Sequence, residues 1–270
     1  YFITRCVLVL MMIVYSFLLP SGSSIYSNIF EVFDNEHYLN IAINGYKNDY
    51  LYAFFPLTPL LIRYLGKWGF LALNQLLVII SGYLLYLISR DIFREKENRW
   101  VVFLFLISPI SVFTCMFYTE GIFLFLTILG FYLYKCKKNY FALGLVLGLS
   151  VMTRSLGSML FFSIFICMFI SMIRGKEKFK NILITYIPAT IISCLYPIYL
   201  YVRTGNFLYF TEVQFLYWDR TGTNILMVLF DSFKYLVKDF NFLYAKERNR
   251  SSSLCFYNYL FQNVKSNNSY

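Results

Sequence analysis

Charge is scarce in this chain. Of 270 residues, 14% are Asp, Glu, Lys or Arg, where a soluble domain carries about 25%. That shortage excludes a surface solvated all round. Histidine is scarcer still: His37 stands alone. The six cysteines (Cys6, Cys115, Cys136, Cys167, Cys194 and Cys255) show no C-x-x-C pair. No zinc pattern can be drawn from them, and those in apolar runs are expected to serve as packing residues. No internal repeat of 20–50 residues is visible. The sequence opens on Tyr1 rather than Met, so a true N-terminus is not expected within it.

What the chain has instead is apolar length, at 59% hydrophobic and 21% aromatic. Several runs reach the roughly 20 apolar residues that cross hydrocarbon. They predict an all-α polytopic membrane protein. One integral domain of seven or eight spans is expected over 1–240, with a polar tail over 241–270. Ile3 to Leu19 reads as the first span, ended by Pro20-Ser21-Gly22-Ser23-Ser24. A mixed loop follows over 20–69. Within it Ile29, Phe30, Phe33, His37, Tyr38 and Ile41 recur at helical spacing, which predicts a surface-lying amphipathic helix. A short apolar helix is expected over Ala53 to Leu65, resuming after Pro56 and Pro59, and a second span over Phe70 to Ser89. Trp100 to Ile107 and Ser111 to Tyr134 follow, separated at Ser108-Pro109. Tyr140 to Ile173 is too long for one span and is read as two helices meeting at Arg154. Asn181 to Val202, bent at Pro188 and Pro197, comes next, and Asn224 to Val237 is a shorter apolar run.

The net charge of +10 does not point to nucleic acid. Its positives sit in short turns: four in Arg90 to Arg99, three in Lys135 to Lys138, four in Arg174 to Lys180. Such turns mark the cytoplasmic side. Glu31, Asp34, Glu36, Asp49, Glu120, Glu212 and Asp219 fall in the alternate loops.

Ionisable groups are costly near lipid, so the few present direct attention. Asp34, just past the first span, suits either the start of a helix or a general base that takes a proton from a hydroxyl. Asp34 and His37 share a helix face, and with Glu36 between them they are candidates to hold a sugar or phosphate. A metal would need more ligands than Asp49 adds, so none is expected. Glu120 and Arg154 either pair with each other or leave Arg154 to bind a phosphate with its fork of donors.

At these positions the sequence resembles a known family. Asp34-Asn35-Glu36-His37-Tyr38-Leu39-Asn40-Ile41-Ala42, with Gly45-Tyr46 and Ala53-Phe54-Phe55-Pro56-Leu57, looks like the first luminal loop of the GPI mannosyltransferase 2 (PIG-V) family. Ser108-Pro109 through Tyr118-Thr119-Glu120 is similar to a second block, and Thr153-Arg154-Ser155 to a third. Leu156-Gly157 stands where the family has Asn-Gly. The resemblance implies a GT-C-type helical bundle in the endoplasmic reticulum membrane, with no cofactor. Its donor would be dolichyl-phosphate-mannose. Its acceptor would be a glycosylphosphatidylinositol precursor, which receives a second mannose in α-1,6 linkage with inversion. It implies a small membrane partner subunit as well. In that reading Asp34 is the base, and Glu36, His37, Glu120 and Arg154 contact substrate. The stretch from Arg203 to Arg220 instead resembles bacterial relatives, whose acceptors differ. Two other readings stand beside this one. A transporter would place charge mid-bilayer on several helices or show an inverted repeat, and a partner subunit would need no catalytic geometry.

Overall fold

The computed structural model describes residues 6, 7, 10, 14, 34–90 and 92–218. The expected first span, the loop before Asp34, the run over 224–237 and the boundary at residue 240 lie outside the described residues. Among those described every regular element is helical.

Helix α1 (Asp34–Asn44) opens with Asp34 and Glu36, which complement the positive end of the helix dipole. It buries Asn35, Tyr38, Leu39, Ile41 and Ala42 and leaves Glu36 and Ile43 outside, the one-sided pattern expected of a surface helix. A 3-10 turn (Asp49–Ala53) leads to α2 (Leu57–Ser89). That helix is broken at Gly66, whose φ of 73° and ψ of 169° suit glycine. A short piece before the break and a long one after it match the short helix and second span read from the sequence. At the far end of α2, Asn98 donates to the Tyr86 carbonyl at 3.2 Å and meets the Ser89 hydroxyl, closing the turn into α3 (Glu95–Ile107).

One expectation needs correction here. The apolar run from Ser111 to Tyr134 is not one span. Residues 109–115 form a 3-10 helix, and α4 begins only at Glu120 and ends at Tyr132. Glu120 is therefore at a helix start rather than inside a span, where its carboxylate favours the local dipole. A π-helical turn (Leu133–Lys137) leads to α5 (Tyr140–Thr153), then α6 (Gly157–Ile173), with Arg154 at the junction as expected. Helix α7 (Phe179–Thr204) carries Pro188 and Pro197 internally and closes on Gly205, and α8 (Tyr209–Trp218) packs back on the 3-10 turn of the first loop.

Charge separates into two groups. Arg90 lines one groove with Lys135 and Lys137, and Lys138 lies near Glu177, so the basic turns share one end, while Asp34, Glu120 and Arg154 all act on Tyr38 at the other. At the basic end Glu177 accepts from the Tyr140 hydroxyl at 2.7 and 2.8 Å and from the Asn181 amide at 2.8 Å. Burial there works to raise Glu177, but the bonds from Asn181 and Tyr140 and the nearby Lys138 outweigh it and hold the carboxyl below its ordinary value.

Helices α5 and α7 form the most extensive pair in the bundle. Gly144 and Gly148, four apart, let the backbones close. A Cβ at Gly144 would come within 2.2 Å of the Thr185 carbonyl, and one at Gly148 within 2.6 Å of Ile192 Cβ. This is the small-residue packing by which helices associate in lipid. The outer face of α7 carries Leu183, Ile187, Ile191, Leu195, Ile198 and Val202, all exposed, at steps of three and four. Helix α6 likewise exposes Phe162, Phe165, Ile166 and Phe169. Water would not tolerate such continuous apolar stripes, and lipid does. The chain is a membrane protein, with α2 and α7 long and apolar enough to cross a bilayer. The cysteines expected to pack inside do not: Cys167 and Cys194 lie exposed on these outward faces.

Candidate functional site

Tyr38 is the centre of the acidic end. It is 6% exposed and sits on the second turn of α1. Burial pushes its hydroxyl well above the ordinary phenol value. The charges of Asp34 and Glu120 push it further, while Arg154 and a hydrogen bond with Thr119 act the other way. Three separated segments, those of Asp34, of Tyr118 to Glu120 and of Arg154, thus converge on one buried ring. Tyr118 belongs to the same cluster. Its hydroxyl is pushed up to about 12 by burial and by the Asp34 charge, against a hydrogen bond from the Asp34 backbone.

The Glu120 and Arg154 readings resolve toward pairing. Arg154 Nη1 donates to Glu120 Oε1 at 2.5 Å, with the two side chains 34% and 19% exposed. The pair joins the start of α4 to the end of α5. Glu120 Oε2 is buried and has no hydrogen-bond partner among the described residues. Arg154 also lies over the Phe123 ring at 5.8 Å. A guanidinium has five donors, so one bond to Glu120 leaves others for a further acceptor.

Removing Glu120 (Glu120→Gln) is expected to cost about 1–2 kcal/mol, below the roughly 3–5 kcal/mol of a fully buried pair because a third of Arg154 faces outward. Thermal unfolding of Glu120→Gln, Arg154→Gln and the double variant gives the coupling directly. A coupling near zero would mean the pair ties nothing together.

His37 is placed differently from this trio. Its ring packs on Tyr50 (5.6 Å between centroids) and Phe54 (5.0 Å), on the side of α1 that meets the 3-10 turn. Glu36 is exposed on the outer side. The loop beneath His37 is held from below, since the Tyr196 hydroxyl donates to the Tyr52 carbonyl at 2.7 Å and the Tyr46 hydroxyl to that of Phe54 at 2.8 Å.

Sequence reasoning missed Asn74. It is fully buried in α2 and donates to the Thr114 and Met116 carbonyls at 3.1 and 3.4 Å, which fixes the strand of chain that leads to Glu120. Gly121 gives it room: a Cβ there would stand 2.0 Å from Asn74 Oδ1. The available signal was a lone amide in an apolar run, a costly choice in lipid unless it has partners. Tyr38 and Tyr118 stand inside the motif blocks, and no local pattern marks them as the buried rings on which the charges converge.

The chain is 26% identical over 146 residues to GPI mannosyltransferase 2 of Drosophila melanogaster, covering 46% of this chain and 32% of that protein. To the protein of the same name from Drosophila pseudoobscura pseudoobscura it is 28% identical over 109 residues, 34% and 24% of the two chains. To that of Schizosaccharomyces pombe it is 28% identical over 169 residues, 54% and 34%. The chain resembles the GPI mannosyltransferase 2 family. It spans about a quarter to a third of the length of the curated relatives it matches. No family model matches the chain, and no solved structure does.

Proposed function

We propose that this chain carries the acidic-end site of a glycosyltransferase that moves mannose from dolichyl-phosphate-mannose to a glycosylphosphatidylinositol precursor. The observation that supports it most is the convergence of Asp34, Tyr118 to Glu120 and Arg154 around Tyr38. The relatives' names supply the substrate class.

In this reading Asp34 accepts the proton of an acceptor hydroxyl. The freed oxygen attacks the anomeric carbon of mannose from the face opposite the phosphate. The bond from that carbon to the phosphate oxygen breaks, and the phosphate keeps the electron pair. One displacement inverts the centre, so a β-linked donor gives an α product. Arg154 already pairs with Glu120, and Asp34, in the first turn of α1, is the carboxylate assigned as base. The remaining Arg154 donors stabilise the leaving phosphate. Glu120 Oε2 accepts from a sugar hydroxyl, and Glu36 and His37 contact the acceptor from the water side. The linkage is α-1,6 and the product carries the second mannose. The membrane is that of the endoplasmic reticulum, with the acidic end in the lumen and a small partner subunit alongside.

Labelled mannose supplied as dolichyl-phosphate-mannose to microsomes containing the chain is expected to appear in a glycosylphosphatidylinositol precursor. Linkage analysis should then give α-1,6. A product of another linkage, or no transfer, sinks the assignment. Topology is checked separately. A glycosylation sequon inserted at Ser23 is expected to be modified in microsomes, and one at Glu97 is not. The reverse pattern would place the basic turns in the lumen.

A further inference from the structure

Arg63 is exposed, near the end of the short first piece of α2, and it has no side-chain partner among the described residues. Two grooves meet at it. One, of about 400 Å³, is walled by Ile41, Pro59, Leu60, Met152 and Leu195, with Tyr199. The other, of about 350 Å³, runs on the opposite side of Arg63 past Leu39, Ala42, Ile43 and Ile62 to Lys67. The first groove opens outward: Leu60 is 43% and Leu195 52% exposed, and Leu195 belongs to the apolar stripe that α7 turns to lipid. An unpaired guanidinium between an apolar groove and a mixed one that ends at Lys67, beside a lipid-facing surface, is complementary to an anionic lipid with two chains. A single-chain polyprenyl phosphate would fill one groove and leave the other.

Distance along α1 separates this feature from the reacting end. Leu39, at the edge of the second groove, lies five residues beyond Asp34, and Ile41 and Gly45, which line the first groove, lie seven and eleven. At about 1.5 Å per residue that is roughly 7 Å for the nearest wall and 10–16 Å for the first groove. A phosphate held by Arg63 at the first groove is therefore farther from Asp34 than the group leaving mannose would be. It suits the phosphate of a glycolipid whose terminal sugar is several rings away.

We propose that the paired grooves at Arg63 seat the diacyl anionic lipid of the acceptor, its phosphate on Arg63 and its glycan extended along α1 toward Asp34. This rests on the glycolipid mannosyltransferase reading for its final step, though the lipid seat is testable without turnover. The full chain is placed in vesicles containing a phosphatidylinositol with a photoactivatable group at its acyl terminus, and labelled peptides are mapped. Labelling is expected on the segments of Leu60 and Leu195. It should fall about tenfold in Arg63→Glu and recover in Arg63→Lys. Unlabelled phosphatidylinositol should compete. Equal or stronger competition by a polyprenyl phosphate would give the seat to the donor and overturn the proposal. Competition by inorganic phosphate alone, or labelling indifferent to Arg63, would overturn it as well. Where transfer is measurable, Arg63→Ala is expected to raise the acceptor KM about tenfold and leave the donor KM unchanged. A change confined to the donor KM would count against the seat.

Discussion

Asp34→Asn is expected to leave a chain that inserts into membranes in normal amount and transfers mannose at least about 10²-fold more slowly. Amide for carboxylate keeps the shape and removes the basic oxygen. Asp34 is a first-turn residue of α1, and asparagine still suits a helix start, so the fold should survive. The buried face of α1, carried by Tyr38, Leu39, Ile41 and Ala42, is untouched. The loss should fall on kcat rather than on either KM, because a base acts on the transition state and binds neither substrate's bulk. Transfer measured at saturating donor and acceptor decides it, with membrane insertion as the control. Near-normal transfer would remove Asp34 from the reaction, and a chain that fails to insert would make its role structural.

Gly157→Ala should be the most damaging single-methyl change. A Cβ there would stand 2.1 Å from the Ser150 carbonyl oxygen, 2.3 Å from its carbon and 2.5 Å from the Val151 nitrogen. These are backbone atoms of α5, so no side chain can swing aside. The junction must open, and that junction positions Arg154 against Glu120. Overpacking of this kind costs about 1–3 kcal/mol, and more when backbone must move. Lowered thermal stability in detergent, together with lost transfer, is the expected result. The same change at Gly175 on the basic end, where nothing lies within 4 Å, meets no crowding and only the backbone strain of a positive φ of 69°, about 1–2 kcal/mol, so transfer should survive it. Equal behaviour of the two variants would mean that the tight junction has no bearing on the site.

Much of this arrangement was legible in the residues, and the reasons are specific. The paired helices around Arg154 follow from a run too long for one crossing with a cation in its middle. The short helix ahead of the second span follows from an apolar run that resumes after Pro56 and Pro59. Charge alternation gave the two ends of the bundle, because each basic turn is short and local. What escaped was non-local. Pro109 to Cys115 lies in a run as apolar as a span, yet it folds as a 3-10 segment. Its carbonyls find partners in Asn74 and Gln75, some 40 residues away, and no local pattern announces that. Arg154 with Glu120 stayed undecided for the same reason, since pairing across 34 residues depends on how α4 and α5 dock. The outward cysteines were misjudged because, beside lipid, apolar does not mean interior.

Helix α5 has 14 residues, about 21 Å, against a hydrocarbon thickness of about 30 Å, while its neighbour α7 has 26 and reaches about 39 Å. Measured from the basic turns, the Arg154 junction therefore stops about 9 Å short of the far face of a hydrocarbon layer about 30 Å thick, which α7 is long enough to reach. Water must descend to meet it, and in the proposed reaction an anchored sugar need not be lifted out of its leaflet. Bilayer thickness then becomes a variable of the chemistry itself: a thicker membrane deepens the well, and a thinner one brings its floor toward the surface.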